Sequence, residues 1–401
     1  MKSRLAPRLM VLAALAAIFI ATLTPYPGEV SETRLCLLCA PSSLADVIAN
    51  LILFAPLGFA LAWLGWPLRR AVTGAALLSG AIELSQLLFI AGRDASVSDV
   101  TMNTLGAALG VILLRGAGLA LRTGPPRSLR FTAVLAGIAA VAIGKGDWML
   151  MPTLPQTAYW GQWTADLDGD LDWYRGRVGS AEIGRLAVKS AQVDHSEAVR
   201  ALLSRGAPVH VRGVAGPNPV RLAPFFSIYD EREQEILLIG PQGDDLVLRY
   251  HMRAADWYLD QPDFHLPHAF RGIRPGDSLD LTMWREPEGA CLRLNAVHAC
   301  GLAPTAGRAW SLLQYQEQFP EWLKRSLDGL WLALLALPAG LCAARLLDLG
   351  AGAGILALAL ALGPPLFGIG ASPLGEWGAV AAGLVAGVML RRAFLKLGLP
   401  A

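Results

Sequence analysis

Polar side chains recur in pairs inside stretches of the chain that are otherwise apolar. Spacings of three or four residues place both members of a pair on one face of a helix. Carboxylates and amides are costly inside a membrane helix, and they usually face a protein interior or a cavity. Arg93, in a connecting loop, is a cation available to the acidic members. The pairs are Asp46 with Asn50, Glu83 with Gln86, and Asp99 with Asn103.

These seven residues, the polar cluster, admit three interpretations. Interhelical hydrogen bonds would explain the amides, at about 0.6 to 2 kcal/mol for each contact. Glu83 and Asp99 fit that role less well, because a carboxylate away from water needs a cation or a proton. An outward-facing site for a polar headgroup or a lipid-linked glycan is the second interpretation. The third is an enzyme acting on such a lipid, with Glu83 or Asp99 as general base and Arg93 binding phosphate.

The composition indicates that the elements positioning these residues are membrane helices. Of 401 residues, 54% are hydrophobic and 16% are charged, and the mean hydropathy is +0.44. Soluble domains are about 25% charged, so the composition excludes a cytosolic globular protein and a disordered chain. A net charge of +2 provides no basic field for nucleic acid. Eight segments of about 17 to 25 apolar residues could each cross a bilayer: 8–25, 46–65, 71–91, 99–115, 129–149, 327–347, 351–369 and 376–391.

Basic residues in the short loops predict the orientation of these helices, because such residues favour the cytoplasmic side. With every basic loop on one side, both termini are cytoplasmic and residues 151–322 are extracytoplasmic. The first helix resembles a signal peptide without a convincing cleavage site, so we expect it to remain uncleaved. The residues that set the orientation are Lys2, Arg4, Arg8, Arg69, Arg70, Arg115, Arg122, Arg127, Arg130, Arg391, Arg392 and Lys396.

The composition divides the chain into four parts. A four-helix membrane domain covers 1–124, a fifth spanning helix 125–150, a polar domain 151–322, and a three-helix membrane segment 323–401. We find no clear repeat relating helices 1–4 to helices 5–8, which disfavours a transporter. The segment 308–326 mixes aromatic and polar residues and is predicted to lie at headgroup depth, with Trp310 among its anchors.

Short strands separated by turn residues predict that the polar domain is an all-β jelly-roll sandwich, inserted into a polytopic α-helical membrane protein. Within it, a two-residue turn at Asn295 and Ala296 would place Cys291 directly opposite Cys300. Residues directly opposite each other on neighbouring strands lie close enough to form a disulfide. We therefore predict a Cys291–Cys300 bond, which requires an oxidising compartment. The predicted strands are 207–213, 224–230, 235–240, 245–252, 278–285, 290–294 and 297–301.

The sandwich sequence resembles a known architecture. "FFSIYDEREQEILLIGPQGDDLVLRYHM", "DSLDLTMW" and "ACLRLNAVHA" are similar to the concanavalin A-like and laminin-G-like jelly rolls over roughly 160–305. The resemblance implies glycan binding through exposed aromatic residues, and calcium binding through acidic loops in some members. Burial in the core is the alternative for each aromatic. The candidates are Trp160, Trp163, Trp173 and Trp257.

No metal or cofactor site is expected from the sequence. "DLDGDLD" offers Asp166, Asp168, Asp170 and Asp172, but alignment to a calcium-binding EF-hand loop puts Arg175 where glutamate is required. Another type of calcium loop and a solvated acidic turn stay open as alternatives.

The membrane segments around the polar cluster also resemble a family. "DVIANLILFAPLGFAL" and "GAIELSQLLFIAGRDASVSDVTMNTLGAALG" are similar to the VanZ-like membrane proteins, whose pattern joins Asn-x5-Pro-x-Gly, Glu-x-x-Gln, Arg and Asp-x3-Asn-x2-Gly. The match covers about 1–120 and implies a bacterial inner-membrane protein without supplying a reaction. Gly106 and Gly110 predict close helix packing. The matching positions are Asn50, Pro56, Gly58, Glu83, Gln86, Arg93, Asp99, Asn103 and Gly106.

Two functions follow from these observations. In the first, the sandwich binds a glycan or an envelope protein, while the helices anchor it and contact membrane lipid or a lipid-linked saccharide. In the second, the protein is a membrane enzyme that acts on a glycan-lipid or phospholipid headgroup through the polar cluster.

Overall fold

The computed structural model describes residues 5–24, 35–36, 43–90, 95–121, 124–165, 171–314 and 319–397. Within this part of the chain, eight helices are long and apolar enough to cross a membrane, which confirms the eight predicted segments. Each begins a few residues before its apolar run, because polar residues complete the first turn. The helices are α1 Leu5–Leu23, α2 Ser43–Trp63, α3 Leu68–Phe89, α4 Val97–Leu121, α5 Pro125–Met149, the short α6 Ser196–Ser204, α7 Glu321–Cys342, α8 Leu346–Phe367 and α9 Leu374–Leu397.

Glycines bring α2 and α4 together along their backbones, in parallel. A Cβ on Gly106 would overlap the Leu51 carbonyl, and a Cβ on Gly110 would overlap the Ala55 carbonyl. Gly58 gives the reciprocal contact with Ala107 (also on α4), where a Cβ would overlap the carbonyl. Helices in lipid associate through close packing of small residues, so this contact holds the first bundle, α1 to α4, together. The packing role predicted for Gly106 and Gly110 is confirmed.

The same contact recurs between α7 and α9. Gly383 and Gly387 of α9 lie against the backbone carbonyls of Ala333 and Leu337, and Gly340 of α7 lies against that of Leu384. These three contacts correspond one to one with the three between α2 and α4. The residue numbers in α7 differ from those in α2 by one constant, and the numbers in α9 differ from those in α4 by another. In the chain, α1 precedes the first pair and α3 lies between its two helices. In the same way, α5 precedes the second pair and α8 lies between its two helices.

The chain therefore contains two related bundles in the same orientation, and the expectation that no repeat relates its halves is wrong. The sequence does carry the signal. Pro56-x-Gly58 recurs as Pro338-x-Gly340, and Gly106-x3-Gly110 recurs as Gly383-x3-Gly387. The insertion of the polar domain between α5 and α7 breaks the regular spacing and hides the repeat. α5 packs with α7 and α8, and its Ser128 hydroxyl donates to Asp348 of α8 at 2.7 Å.

Two antiparallel sheets form the sandwich, as predicted. The strand orders are β10-β9-β8-β7-β3 and β13-β12-β11-β6-β4-β5, and the core between them is filled by residues such as Ile228, Ile239 and Leu281. A two-stranded contact, β1 Leu35–Cys36 with β2 Ala95–Ser96, lies in the first bundle. The sandwich strands are β3 Tyr159–Trp163, β4 Arg177–Ile183, β5 Leu186–Ala187, β6 Val209–Val214, β7 Phe226–Asp230, β8 Glu235–Gln242, β9 Asp245–Tyr250, β10 Phe264–Leu266, β11 Ser278–Glu286, β12 Gly289–Leu294 and β13 Val297–Leu302.

The Cys291–Cys300 disulfide is present, with Cα atoms 4.0 Å apart. The register confirms the predicted turn, because Leu294 lies opposite Val297 and Arg293 lies opposite His298. A bulge between Ala290 and Leu292 shifts the register at the disulfide itself, a detail that alternation alone does not predict.

The sandwich rests directly on the helix ends. Trp257 lies edge-on to Trp148 of α5, with ring centroids 6.3 Å apart, and Lys145 and Arg253 each stack on the Trp148 ring at 4.4 Å. Ala45 at the start of α2 belongs to the same buried cluster as the sandwich core. Both bundles therefore contact the sandwich at the same end, where aromatic and basic side chains typical of a membrane interface collect.

We expect Gly110→Ala to lower the free energy of unfolding by about 1–3 kcal/mol, because the added methyl group overlaps the Ala55 carbonyl. Gly116→Ala on the same helix is the matched control, since a Cβ there meets no atom within 4 Å. Thermal melting of the two variants in one detergent measures the difference. Equal melting temperatures would contradict the proposed backbone contact.

Candidate functional site

The polar cluster lies at the end of the first bundle that faces the sandwich. Glu83 and Gln86 of α3 and Asn103 of α4 are buried, at 8%, 6% and 1% exposure. Asp46 at the start of α2 is exposed, and Asp99 at the start of α4 is half-buried. Asn50, half-buried, follows Asp46 by one turn, and Arg93 lies outside the described residues.

Glu83 fixes the connection between α3 and α4. Its Oε2 accepts the backbone N–H of Ser96 at 2.8 Å, and Ser96 lies in β2, which pairs with β1. One carboxylate thereby links α3 to the β1–β2 pair that precedes α4. A backbone N–H is a good partner for a buried carboxylate, and this contact gives Glu83 a structural role.

The two buried amides form hydrogen bonds between helices. Gln86 Nε2 donates to the Thr22 carbonyl of α1 at 2.8 Å, and Asn103 Nδ2 donates to the Ser79 hydroxyl of α3 at 2.9 Å. Their oxygens, Gln86 Oε1 and Asn103 Oδ1, are buried without a hydrogen-bond partner in the described part of the chain. Buried acceptors normally have a partner, so this pair remains able to accept from a donor group.

A carboxylate of the sandwich faces the rim of the cluster. Burial, together with the charge of Asp46, raises the pKa of Asp260 to about 6, and the charge of Arg249 opposes this shift. The Asp260 backbone N–H donates to the Leu312 carbonyl, which fixes this residue beside the 3-10 helix Ala306–Leu312. Asp46 and Asp260 therefore place like charges across the boundary between bundle and sandwich.

A second set of acidic residues, absent from the sequence prediction, lies in the second bundle. Asp328 of α7 receives a bidentate contact from Arg308, at 3.0 and 3.1 Å, and the indole N–H of Trp310 at 2.6 Å. Arg308 and Trp310 belong to the 3-10 helix Ala306–Leu312. Trp310 is buried in the protein, and its ring turns inward because Asp328 accepts its N–H. The depth of this segment in the membrane stays a prediction.

Two further carboxylates complete this second set. The Thr305 hydroxyl donates to Glu376 of α9, whose Oε2 has no partner within the described chain. Asp147 of α5 is fully buried, packs against Gly363 of α8, and has no hydrogen-bond partner there for either oxygen.

The repeat relates the second set to the first. Asp328 precedes Pro338 by ten residues, as Asp46 precedes Pro56. Glu376 likewise lies seven residues before Gly383, just as Asp99 lies seven residues before Gly106. In the second bundle, the segment that follows β13 donates hydrogen bonds to both Asp328 and Glu376. A search for the repeated Pro-x-Gly and Gly-x3-Gly motifs would have found the pair.

The aromatic candidates of the sandwich differ in exposure and in their neighbours. Trp163 packs partly against the core, Trp160 is half-buried in β3, and Trp257, although 49% exposed, lies against Trp148 of α5. Trp173 is 51% exposed, and its ring is stacked by the Arg175 guanidinium at 5.6 Å. Of the four candidates, Trp173 therefore offers an exposed ring away from the helices.

No metal site emerges from the described residues. Of the acidic run, Asp166, Asp168 and Asp170 lie outside them, and Asp172 pairs with Arg221 at 3.0 Å. The group of potential ligands that clusters in this part of the structure is Glu286, Cys291 and Cys300, and the disulfide removes both thiols from it.

Eight spanning helices with an inserted β-sandwich define a multi-pass membrane protein. Residues 9–120 match the model of the family described as VanZ/LLP1, which confirms that the first bundle is VanZ-like. This stretch holds the polar cluster. No curated protein and no solved structure matches the chain. The concanavalin A-like or laminin-G-like identity of the sandwich therefore stays a prediction.

Removing Arg308 should destabilise the second bundle. In Arg308→Ala, the buried Asp328 loses its cation, and we expect a loss of about 3–5 kcal/mol. The double variant Arg308→Ala with Asp328→Asn should recover much of this loss, and Arg325→Ala, at an exposed position of α7, should change little. Thermal unfolding of the purified chain measures all three. Equal losses for Arg325→Ala and Arg308→Ala would refute the pairing.

Asp260 should make stability depend on pH. Its folded pKa of about 6 exceeds the usual value of 3.8, so the folded state binds more protons than the unfolded state between these values. The contribution of this group to the free energy of unfolding therefore falls as pH rises from about 4 to 6, by on the order of 3 kcal/mol. Asp260→Asn should remove that fall, while the exposed Asp194→Asn should retain it. Melting temperatures at pH 4, 5, 6 and 7 test the difference.

Proposed function

We propose that this is an inner-membrane protein of the bacterial cell envelope, in which the helical bundles hold the sandwich at the outer surface and the sandwich binds a glycan. Both termini are then cytoplasmic and residues 151–322 extracytoplasmic. The VanZ-like match of residues 9–120 supports the bacterial membrane setting. The Cys291–Cys300 disulfide favours an oxidising compartment for the sandwich.

Contacts at one end of the helices support this arrangement. The sandwich and its flanking segments touch the start of α2, the end of α5 and the starts of α7 and α9. The opposite helix ends carry basic residues, including Arg69 and Arg70 in the first turn of α3 and Arg127 in the first turn of α5. Positive loops favour the cytoplasm, so the sandwich end faces outward.

The observation that carries glycan binding is the exposed ring of Trp173. Arg175 stacks on this ring, and the Asp172–Arg221 ion pair lies beside it in the chain, with an Arg221 side chain that is 52% exposed. An indole offers an apolar face to a sugar ring, while charged groups nearby bind its hydroxyls. This combination of an exposed aromatic ring and hydrogen-bonding groups suits a saccharide better than the core-packed Trp163 does.

The second bundle supplies the anchor in this proposal. Arg308, Trp310 and Thr305 fill its acidic positions from the sandwich side, so that bundle holds the sandwich in place. The equivalent positions of the first bundle, Asp46 and Asp99, are not buried. The first bundle is then the part that contacts membrane lipid or the lipid-linked end of the glycan.

A membrane enzyme acting on a glycan-lipid or phospholipid headgroup is the second candidate. Gln86 Oε1 and Asn103 Oδ1 favour it, because they can accept hydrogen bonds from a headgroup. Asp99, half-buried at the rim of the cluster, is the general base in this candidate, because it is more accessible than the buried Glu83. An envelope protein as the ligand of the sandwich is the third outcome that experiments should distinguish.

We expect Trp173→Ala to weaken binding of the full chain, in lipid nanodiscs, to bacterial envelope glycans by about tenfold or more, since the variant loses the stacking ring. Trp257→Ala is the control, because that ring contacts Trp148 instead. Glycan-array binding of both variants and wild type provides the measurement. Binding to no glycan, or equal binding by Trp173→Ala, would contradict the proposal, and capture of an envelope protein would favour the third outcome.

The variants Glu83→Gln and Asp99→Asn distinguish the enzyme hypothesis from the glycan-binding hypothesis. In the enzyme, Asp99→Asn should abolish turnover of lipid headgroups while leaving lipid binding unchanged. In the binding protein, no turnover exists to lose, and Glu83→Gln should lower the melting temperature because it weakens the bond to Ser96. Phosphate and sugar release from reconstituted lipid, measured beside thermal melting, distinguishes the two.

A further inference from the structure

A cavity of about 310 Å³ lies between the two sheets of the sandwich. Leu237 and Tyr250 contribute to its lining from one sheet, and Met283 and Ala290 contribute from the other. Ala207, just after α6, lies on its wall. The volume is at the lower end of the range for small-molecule sites, so the cavity is large enough for a ligand.

The interior of this cavity is apolar. Among the described residues that line it, Arg285 is the single side chain with a full charge. His251 also lines it, but burial lowers the pKa of its imidazole, and its Nδ1 already pairs with the Thr153 hydroxyl at 2.9 Å. A neutral, hydrogen-bonded histidine leaves the interior suited to hydrocarbon.

The cavity lies directly over two membrane helices. Pro152 and Thr153, in its lining, come three and four residues after the last residue of α5. Arg285 Nη2 donates to the Gly368 carbonyl at 3.2 Å, and Gly368 caps α8. The lining therefore continues from the ends of both helices, at the depth where lipid headgroups begin.

One end of the cavity carries groups that can bind an anion. Arg285 is exposed, so its guanidinium lies at the rim, whereas Leu237 and Ala290 are buried deeper in the lining. Burial raises the pKa of Tyr250, and the nearby charge of Arg285 opposes that shift, which places the phenol and the guanidinium within electrostatic reach. A phenol and a guanidinium together donate hydrogen bonds to a carboxylate or a phosphate.

We propose that this cavity binds one acyl chain of an anionic lipid from the leaflet beneath the sandwich, with the anionic group of that lipid on Arg285. At about 30 Å³ for each methylene, taken as the size of a water molecule, the space holds about ten carbon atoms. The inference depends on the sandwich lying on the membrane, but it does not depend on glycan binding at Trp173. It gives the protein a lipid ligand within its sandwich.

A photoreactive decanoic acid carrying a diazirine at its chain end tests the proposal on the full chain in nanodiscs. We expect label on peptides that contain Leu237 and Ala290. Ala207→Phe fills the cavity and should reduce that labelling at least about tenfold, while Ala201→Phe, on the exposed face of α6, should leave it unchanged. Matching melting temperatures of the two variants verify that both are folded.

The anionic end is tested with a neutral probe of the same chain length, the corresponding diazirine decanol. Wild-type protein should prefer the acid, and Arg285→Gln should lose the preference, whereas Arg274→Gln, an exposed arginine outside the cavity, should keep it. Label confined to the membrane helices, or equal labelling of folded Ala207→Phe, would overturn the proposal. Loss of glycan binding in Trp173→Ala with labelling intact would separate this site from the glycan site.

Discussion

The close approach of parallel helix backbones, α2 against α4 and α7 against α9, is the contact on which the rest of the structure depends. In lipid, apolar side chains gain little by meeting each other, so the absence of a Cβ at Gly106, Gly110, Gly383 and Gly387 decides which helices pair. Once these pairs form, the acidic residue at the start of each helix is brought to the end of the bundle that meets the sandwich. The positions of Asp46, Asp99, Asp328 and Glu376 follow from that arrangement.

The two bundles share a backbone frame and differ in the groups that fill it. In the first, hydrogen bonds from Gln86 and Asn103 join three helices, and Glu83 accepts the Ser96 N–H. In the second, apolar Val380 stands at the position of Asn103, and Asp328 and Glu376 receive their partners from the segment after the sandwich. The two copies of one fold therefore differ in how their polar positions are satisfied: by contacts between helices in the first bundle, and by the segment after the sandwich in the second.

The sequence predicted the eight helices, the sandwich, the disulfide and the VanZ-like first bundle, because each has a local signature of apolar length, strand alternation or motif. It did not predict the pairing of Arg308 with Asp328, because nothing local distinguishes that contact from a surface charge and an interfacial tryptophan. The repeat is hard to see for a different reason: the inserted domain separates α5 from α7, and little more than Pro-x-Gly, Gly-x3-Gly and the acidic residues before them recurs in both copies. The cavity could not be predicted from the sequence, because its walls come from strands distant in the chain.

The order of the chain gives the Arg308–Asp328 pair a consequence for biosynthesis. Arg308 precedes Asp328 by twenty residues, so a chain made from its N-terminus presents the arginine before the aspartate enters the bilayer. In the proposed orientation, the sandwich crosses the membrane before α7 is inserted, and its last segment then lies at the outer surface. Because the buried Asp328 takes its cation from that segment, completion of the second bundle would depend on delivery of the sandwich.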